Sequence, residues 1–422
     1  MCSTIVSPPT QSSPSRRRGT LSRGLACLTI LYGLLALAGC PQGSGGSSQD
    51  LPDSAKAPAA PTLSMAAVAK PGTAAKPVKP KRPTQVVLEE IVRKYCVDGS
   101  RPWALAHALI ALGPDVKMPS GKLAIDFLAS RYIRKDDEGR WVFAVTHSKR
   151  NPWPHPGMFS KVLLGNGVSL DRQLPTKVGG TVTLRALVKD MIHGYEPSND
   201  LYNEAWKLEG EAAVGKPDRI AELAKHSLDT LAYHQAYLEE YLHNRTRVWE
   251  KPFVVRNGRR APTAIHRYFC GGCHLFQAVQ QLHGKELPPR LKLQYDILLL
   301  RFDLESDYWD TKLGEARAHG HQRSRAKYER LFLSQKLKMQ GHILETYVKG
   351  VELGAIKMDE EAKTKVAAAY ERLAATVATL DQQGIYDQMD SYEARELQVY
   401  LDLIGDTAHA LHAWQGRKVL GL

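Results

Sequence analysis

Long apolar runs are scarce in this 422-residue chain. Only one, Leu25 to Ala38, approaches membrane length, which excludes a polytopic membrane protein. Cysteine is rare too: six in all, too few for a disulfide-built scaffold. Proline is absent after Pro289, so nothing in that stretch interrupts a helix. Phosphate loops, nucleophile elbows, metalloprotease His pairs and dinucleotide fingerprints are all missing. A concentrated basic surface is missing as well, although the formal charge is +13. Residues 1–85 hold ten Lys/Arg against Asp50 and Asp53, so eight of the thirteen net charges sit there. The modest remainder is not the footprint of a nucleic-acid binder, and no nucleic-acid partner is expected.

The N-terminus reads as an address. Arg16, Arg17, Arg18 and Arg23 form a positive region before the apolar Leu25–Ala38, a stretch of signal-peptide length and too short for an ordinary spanning helix. It ends in Leu37-Ala38-Gly39-Cys40, which resembles the lipobox of bacterial lipoproteins. That resemblance implies cleavage after residue 39, lipidation of Cys40, and a domain held to a bacterial membrane on its periplasmic or outer side. Cys27 lacks a preceding apolar run, and the Arg pair at 16–17 is read as plain charge rather than a twin-arginine signal. Acyl chains bind a membrane by roughly 0.8 kcal/mol per buried methylene. Residues 40–83 are rich in Pro, Ala, Gly, Ser and Lys, with almost nothing large to bury, and read as a disordered tether.

Residues 84–422 carry helical periodicity and are expected to form an all-α domain, with a sub-boundary near 251–262. Helices are expected at Trp103–Leu112, capped by Ser100; at Gly121–Ile133; at Leu184–His193, capped by Thr181 or Thr183; and from Pro217 past Leu242. Four longer ones follow near Leu291–Ala316, Arg323–Leu353, Asp359–Leu380 and Tyr392–Trp414. Short connections predict antiparallel neighbours, that is, helical hairpins in an arrangement similar to an α/α-toroid. Trp141–Val145 is the sole strand candidate, and Asn151–Gly157, with prolines at 152, 154 and 156, reads as a stiff surface loop. Trp153 within it is read as a lid on the core, with His147 and His155 flanking.

One motif could carry chemistry. Phe269-Cys-Gly-Gly-Cys-His274 contains C-x-x-C-H, the pattern of covalent haem c attachment. Two thiols reach the vinyl groups on one porphyrin edge and the next imidazole reaches the iron. Cys270, Cys273 and His274 are therefore the cofactor-site candidates, with His274 as metal ligand. Against this, Met339, Met358 and Met389 lie in or beside helices rather than in a proline loop, and 148 residues follow His274. A second axial histidine would come from His283, His319, His321 or His342, with nothing to choose between them. The competing reading makes Gly271-Gly272 a close-packed helix start and expects no cofactor. The segment is similar to a Cys-Gly-Gly-Thr-His element of uncharacterised, largely helical exported bacterial proteins. Trp103-Ala-Leu-Ala-His107 and Tyr400-Leu-Asp-Leu-Ile-Gly-Asp-Thr-Ala-His409 are similar to the same group, which implies a helical fold and no assigned activity. A thioredoxin-like use would need a mixed sheet, and zinc would need partners from His274, His266 and Cys96. A disulfide from Cys96 to Cys270 or Cys273 is the remaining option.

Asp402, Asp406 and His409 recur at i, i+4 and i+7, offering two carboxylates and an imidazole on one helix face. The expectation is a solvated face with an Asp–His ion pair, because Leu397, Ile404, Leu411 and Trp414 define the apolar side. Arg323, Arg325 and Lys327 read as an ordinary charged helix surface. The sequence thus leads to a lipid-anchored helical binding or scaffold protein, its partners the membrane through Cys40 and a protein or cell-envelope component. The alternatives are a mono-haem electron carrier and an α/α-toroid hydrolase or lyase using His and Asp around a cavity.

Overall fold

A computed structural model describes residues 81–422 except 147, 149–152, 154, 156, 199–200, 203, 245–252, 257–258, 263 and 320–321. The expected signal peptide, Cys40 and nearly all of the expected tether lie outside the described residues, as do His147 and His321.

The chain is all-α. Its helices are α1 (Thr84–Cys96), α2 (Pro102–Leu112), α3 (Ala124–Tyr132), α4 (Met158–Gly165), α5 (Leu184–Met191), α6 (Ala205–Val214) and α7 (Pro217–Asn244). After a short 3-10 turn come α8 (Cys273–His283), α9 (Pro289–His319), α10 (Gln322–Glu352), α11 (Glu360–Gln382), α12 (Met389–Arg395) and α13 (Leu397–Gln415). Local signals explain most boundaries. Pro102 sits in the first turn of α2, and Gly113 ends it at φ 87. Thr183 caps α5 by accepting from the Ala186 N–H at 3.1 Å, and Asp359 caps α11 through the Ala362 N–H at 2.7 Å. Ser100 caps nothing: its hydroxyl turns back to Asp98, and Arg101 holds the N-cap position of α2.

Two further expectations change. Trp141–Phe143 is a strand, but it pairs antiparallel with Ile133–Lys135, and two further two-stranded ladders join 173–175 to 181–183 and 253–256 to 259–262. Tyr392–Trp414 is not one helix. Glu396, at φ −140 and ψ 53, separates α12 from α13 and pairs with Arg330. No proline or glycine marks that break, so periodicity passes over it. Trp153 is buried with its ring 4.7 Å from Phe143, the lid on the core that the sequence led to.

Helix directions follow from who meets whom. Arg317 meets Glu329, Asp310 meets Lys336 and Tyr295 meets Tyr347, so α9 and α10 run antiparallel. Arg330 meets Glu396, Gln335 meets Asp402 and Glu345 meets His409, so α10 and α13 run parallel. Among the described residues this parallel pair is the most extensive helix contact, and α1 and α2 also pack on α13. Glycine makes the approach possible. A Cβ at Gly341 would stand 3.0 Å from the Ala410 nitrogen, and one at Gly405 would stand 2.8 Å from the Trp103 ring.

Candidate functional site

The site is a cavity of about 1200 Å³, large for a small-molecule pocket, walled by α2, α4, α5, α6, α10, α13, the second strand and the turn before α8. Its apolar wall includes Trp103, Trp141, Phe143, Trp153, Trp206 and Phe269. Its polar wall includes His107, Lys161, Cys270, His274, His342, Asp402, Asp406 and His409. The Asp402/Asp406/His409 row is therefore not a solvated face. All three side chains are buried and line the cavity. Helix α13 is buried nearly all round because α10, α1 and α2 all pack on it.

The imidazoles gather closely. Ring centroids are 3.8 Å apart for His342 and His409, 5.2 Å for His274 and His342, and 5.3 Å for His107 and His409. Burial, reinforced by neighbouring imidazoles or lysines, lowers His107, His342 and His409 to about 3 and His274 well below its ordinary value. They are neutral at pH 7 and carry lone pairs. Two are held in a definite sense: His107 Nδ1 lies 2.7 Å from the Trp103 carbonyl, and His409 Nδ1 lies 2.8 Å from Glu345 Oε2. With Nδ1–H donating, each presents Nε2 as the free acceptor.

Glu345 is the hub beneath them. Its other oxygen accepts from His412 Nδ1 at 2.8 Å, Gln277 donates to Oε2 at 3.2 Å, and Lys349 stands 3.4 Å away. Burial alone would raise this carboxyl, but Lys349 and the two imidazole donors outweigh it and hold the group ionised. The carboxyls of α13 behave oppositely. Burial lifts Asp402 to about 7 despite Lys338 at 3.9 Å, and lifts Asp406 equally. Lys161 bridges Glu209 at 2.7 Å, Gln277 at 2.9 Å and His274 Nδ1 at 3.3 Å, a buried ion pair tied to the cavity wall.

The motif 270–274 is split by its backbone. Cys270, Gly271 and Gly272 are three successive left-handed residues, at φ 50, 60 and 76. A Cβ at Gly271 would press on Arg301 and Met339, and one at Gly272 would stand 2.5 Å from Ile265. Cys270 lines the cavity, whereas Cys273 is fully buried outside that lining, with Arg301, Glu305 and Thr346. Burial pushes its thiol up to about 12. No disulfide joins Cys96, Cys270 and Cys273. Cys96, the last residue of α1, sits 3.9 Å from the Ile404 carbonyl of α13, and His266 faces Glu305 at 3.7 Å, so neither shares partners with His274. Among the described candidate second histidines, His342 stands beside His274. His283 is outside the cavity lining, and the His319 side chain and His321 are not described.

Sequence reasoning missed Lys161, Glu345 and His412 as parts of one site, and gave His107 no role. A signal existed: His342-x-x-Glu345 and His409-x-x-His412 each put two polar groups on one helix face amid apolar neighbours. No family model, curated protein or solved structure matches this chain.

Proposed function

We propose that this chain is a lipid-anchored, extracytoplasmic protein whose helical domain encloses a reaction site for a small, ring-containing polar substrate, of hydrolase or lyase type. The observation that carries the reading is the burial of the Asp402/Asp406/His409 row against a cavity with an aromatic wall. A solvated row would leave only a scaffold. A buried one costs stability, and titratable groups clustered at that cost beside a cavity mark candidate functional sites. The His409–Glu345 dyad has the form of a base oriented by a carboxylate, its Nδ1–H held and its Nε2 left to accept a proton. His107 is held in the same sense by the Trp103 carbonyl. Asp402, hydrogen-bonded by Gln335 and Gln398, supplies the acid on the same wall. Trp103, Trp141 and Trp206 contribute apolar ring atoms to the same wall that a substrate ring could meet.

Haem c attachment suits the residues less well. Two thioether bonds need both thiols at one porphyrin edge. Here one thiol lines the cavity and the other is sealed among Arg301 and Thr346. The His274 and His342 rings meet edge to face at 5.2 Å, which leaves no slot for a porphyrin between them.

The test is a product-release screen of full-length, detergent-solubilised protein against glycosides, uronate polymers and esters. The reading expects turnover of one class, reduced by about 100-fold or more in Asp402→Asn and in His107→Gln while both variants stay folded. A ligand that raises the melting temperature without being converted would instead favour the binding-module reading. Neither binding nor turnover would remove both.

A further inference from the structure

We propose that Cys270, His274 and His342 form a site for one divalent transition-metal ion of the zinc class, with its fourth position open to the cavity. One donor atom from each of the three lies within 4.8 Å of the other two. Donors around bound zinc stand about 3.3–3.8 Å apart, given bonds of about 2.0–2.3 Å, so side-chain rotation of about 1 Å closes the set.

Three observations point to a ligand there. The first is the turn itself. Cys270 is a non-glycine residue held in the left-handed region, and the two glycines after it continue the same sense. Arg301 fixes that turn by donating to the Gly271 carbonyl at 2.8 Å. Strain of this kind persists where surrounding structure imposes it, and it is common where a side chain must be aimed. Here it aims a thiol at two imidazoles.

The second is His342. Its side chain is 1% exposed, yet Nδ1 has no hydrogen-bond partner, and Nε2 stands 3.7 Å from Asp406, beyond hydrogen-bond reach. Glu345, at 3.9 Å from Nδ1, is no nearer a partner, so the buried imidazole has lost its water without full recompense, and a metal bond to one ring nitrogen would recover part of that loss. The third is the support around His274. Lys161 occupies Nδ1, so Nε2 is the nitrogen left for an ion. Metal binding at Nε2 releases one proton: Lys161, an ammonium paired with Glu209 in the metal-free site, then accepts from Nδ1–H as a neutral amine and keeps two N–H groups for Glu209 and Gln277.

The donor chemistry sets the metal class. One thiolate and two neutral imidazoles suit zinc or another borderline-soft ion, not magnesium or calcium. Three protein ligands beside a cavity is the pattern of an open site rather than a closed structural one. A second grouping, His342 with Glu345 and His409, also has close donor atoms. It is the weaker candidate because Glu345 already accepts from His409, His412 and Gln277. Its role is to hold His409.

The inference goes beyond the acid–base reading and does not depend on turnover. Full-length protein, solubilised in detergent and stripped with a chelator, would be titrated with Co²⁺ and followed by absorption. The expected result is saturation at one ion per chain, with intense visible bands of four-coordinate cobalt and a near-ultraviolet thiolate band, both displaced by Zn²⁺. Cys270→Ser should abolish the thiolate band, and His342→Ala should weaken binding by about 100-fold or more. Cys273→Ser, if folded by circular dichroism, should keep the band. A readout without any variant is alkylation: Zn²⁺ should shield Cys270 of the wild-type chain from iodoacetamide. Absence of stoichiometric binding, a thiolate band that survives Cys270→Ser, or unshielded alkylation would each overturn the proposal.

Discussion

The turn at 270–272 separates two buried polar clusters that solve the same problem in opposite ways. Behind it, Arg301 is 1% exposed and bonds through all three guanidinium nitrogens, to Glu305 at 2.9 Å, to Gln235 at 3.0 Å and to the Gly271 carbonyl at 2.8 Å, with Glu305 Oε2 and His266 Nε2 left unpartnered beside it. In front of it, imidazoles and carboxyls face a void, and several polar atoms, among them His342 Nδ1 and Asp406 Oδ2, have no partner. The first cluster is charge paired within protein, so it holds the backbone. The second is polarity kept next to space, so it costs stability and is available to a ligand. Both depend on the same three left-handed residues.

The largest expected effect comes from breaking the rear cluster. Arg301→Ala should cost about 3–5 kcal/mol in denaturant unfolding, because it strands Glu305 and releases the turn. The front cluster should respond with the opposite sign. Asp402 has Lys338, Gln335, Gln398 and Asp406 around it, and burial lifts its carboxyl to about 7. An acid raised on folding costs nothing below its unfolded value near 4, and its full penalty appears above 7. Asp402→Asn should therefore be more stable than wild type at pH 8, by up to about 4 kcal/mol. That gain should shrink steadily as pH falls from about 7 to about 4, read from unfolding curves across pH. If Asp402→Asn destabilises at pH 8, the carboxyl is paired better than this account holds.

The turn gives the next two. Gly272→Ala adds a Cβ at φ 76, 2.5 Å from Ile265, and should cost about 2–4 kcal/mol by calorimetry. Cys270→Gly is the smallest and most pointed change. Removing a non-glycine side chain from φ 50 should stabilise the metal-free protein by about 1 kcal/mol, at the expense of metal binding. A loss of stability there would mean that the thiol packs more than it strains.

Much of the fold was legible because helices announce themselves locally: Pro102, Gly113, Thr183 and Asp359 mark boundaries that the backbone obeys. The break at Glu396 was not legible, because it follows from a tertiary pairing with Arg330 rather than from any residue that forbids helix. The site was half legible. Cys270, His274, Asp402, Asp406 and His409 were visible as motifs, but which way α13 faces was not. Its Leu397–Ile404–Leu411 stripe fits a one-sided helix, and only the close approach of α10 through Gly341, with α2 docked on Gly405, turns its polar stripe inward. Glu345 was hidden for the same reason, and His342 was named without anything to single it out: His409 and Asp406, which they meet, lie 64 residues away on a parallel helix.

The central claim is that the strained thiol is retained for binding and not for folding. The most direct measurement is denaturant unfolding of wild type and Cys270→Gly, each with excess chelator and with Zn²⁺ near 100-fold above its dissociation constant. The account predicts that Cys270→Gly is the more stable protein in chelator. Zinc then raises wild type by about 2.7 kcal/mol and leaves Cys270→Gly nearly unmoved. Equal stabilisation of both proteins by zinc, or a Cys270→Gly chain weaker than wild type in chelator, would contradict it.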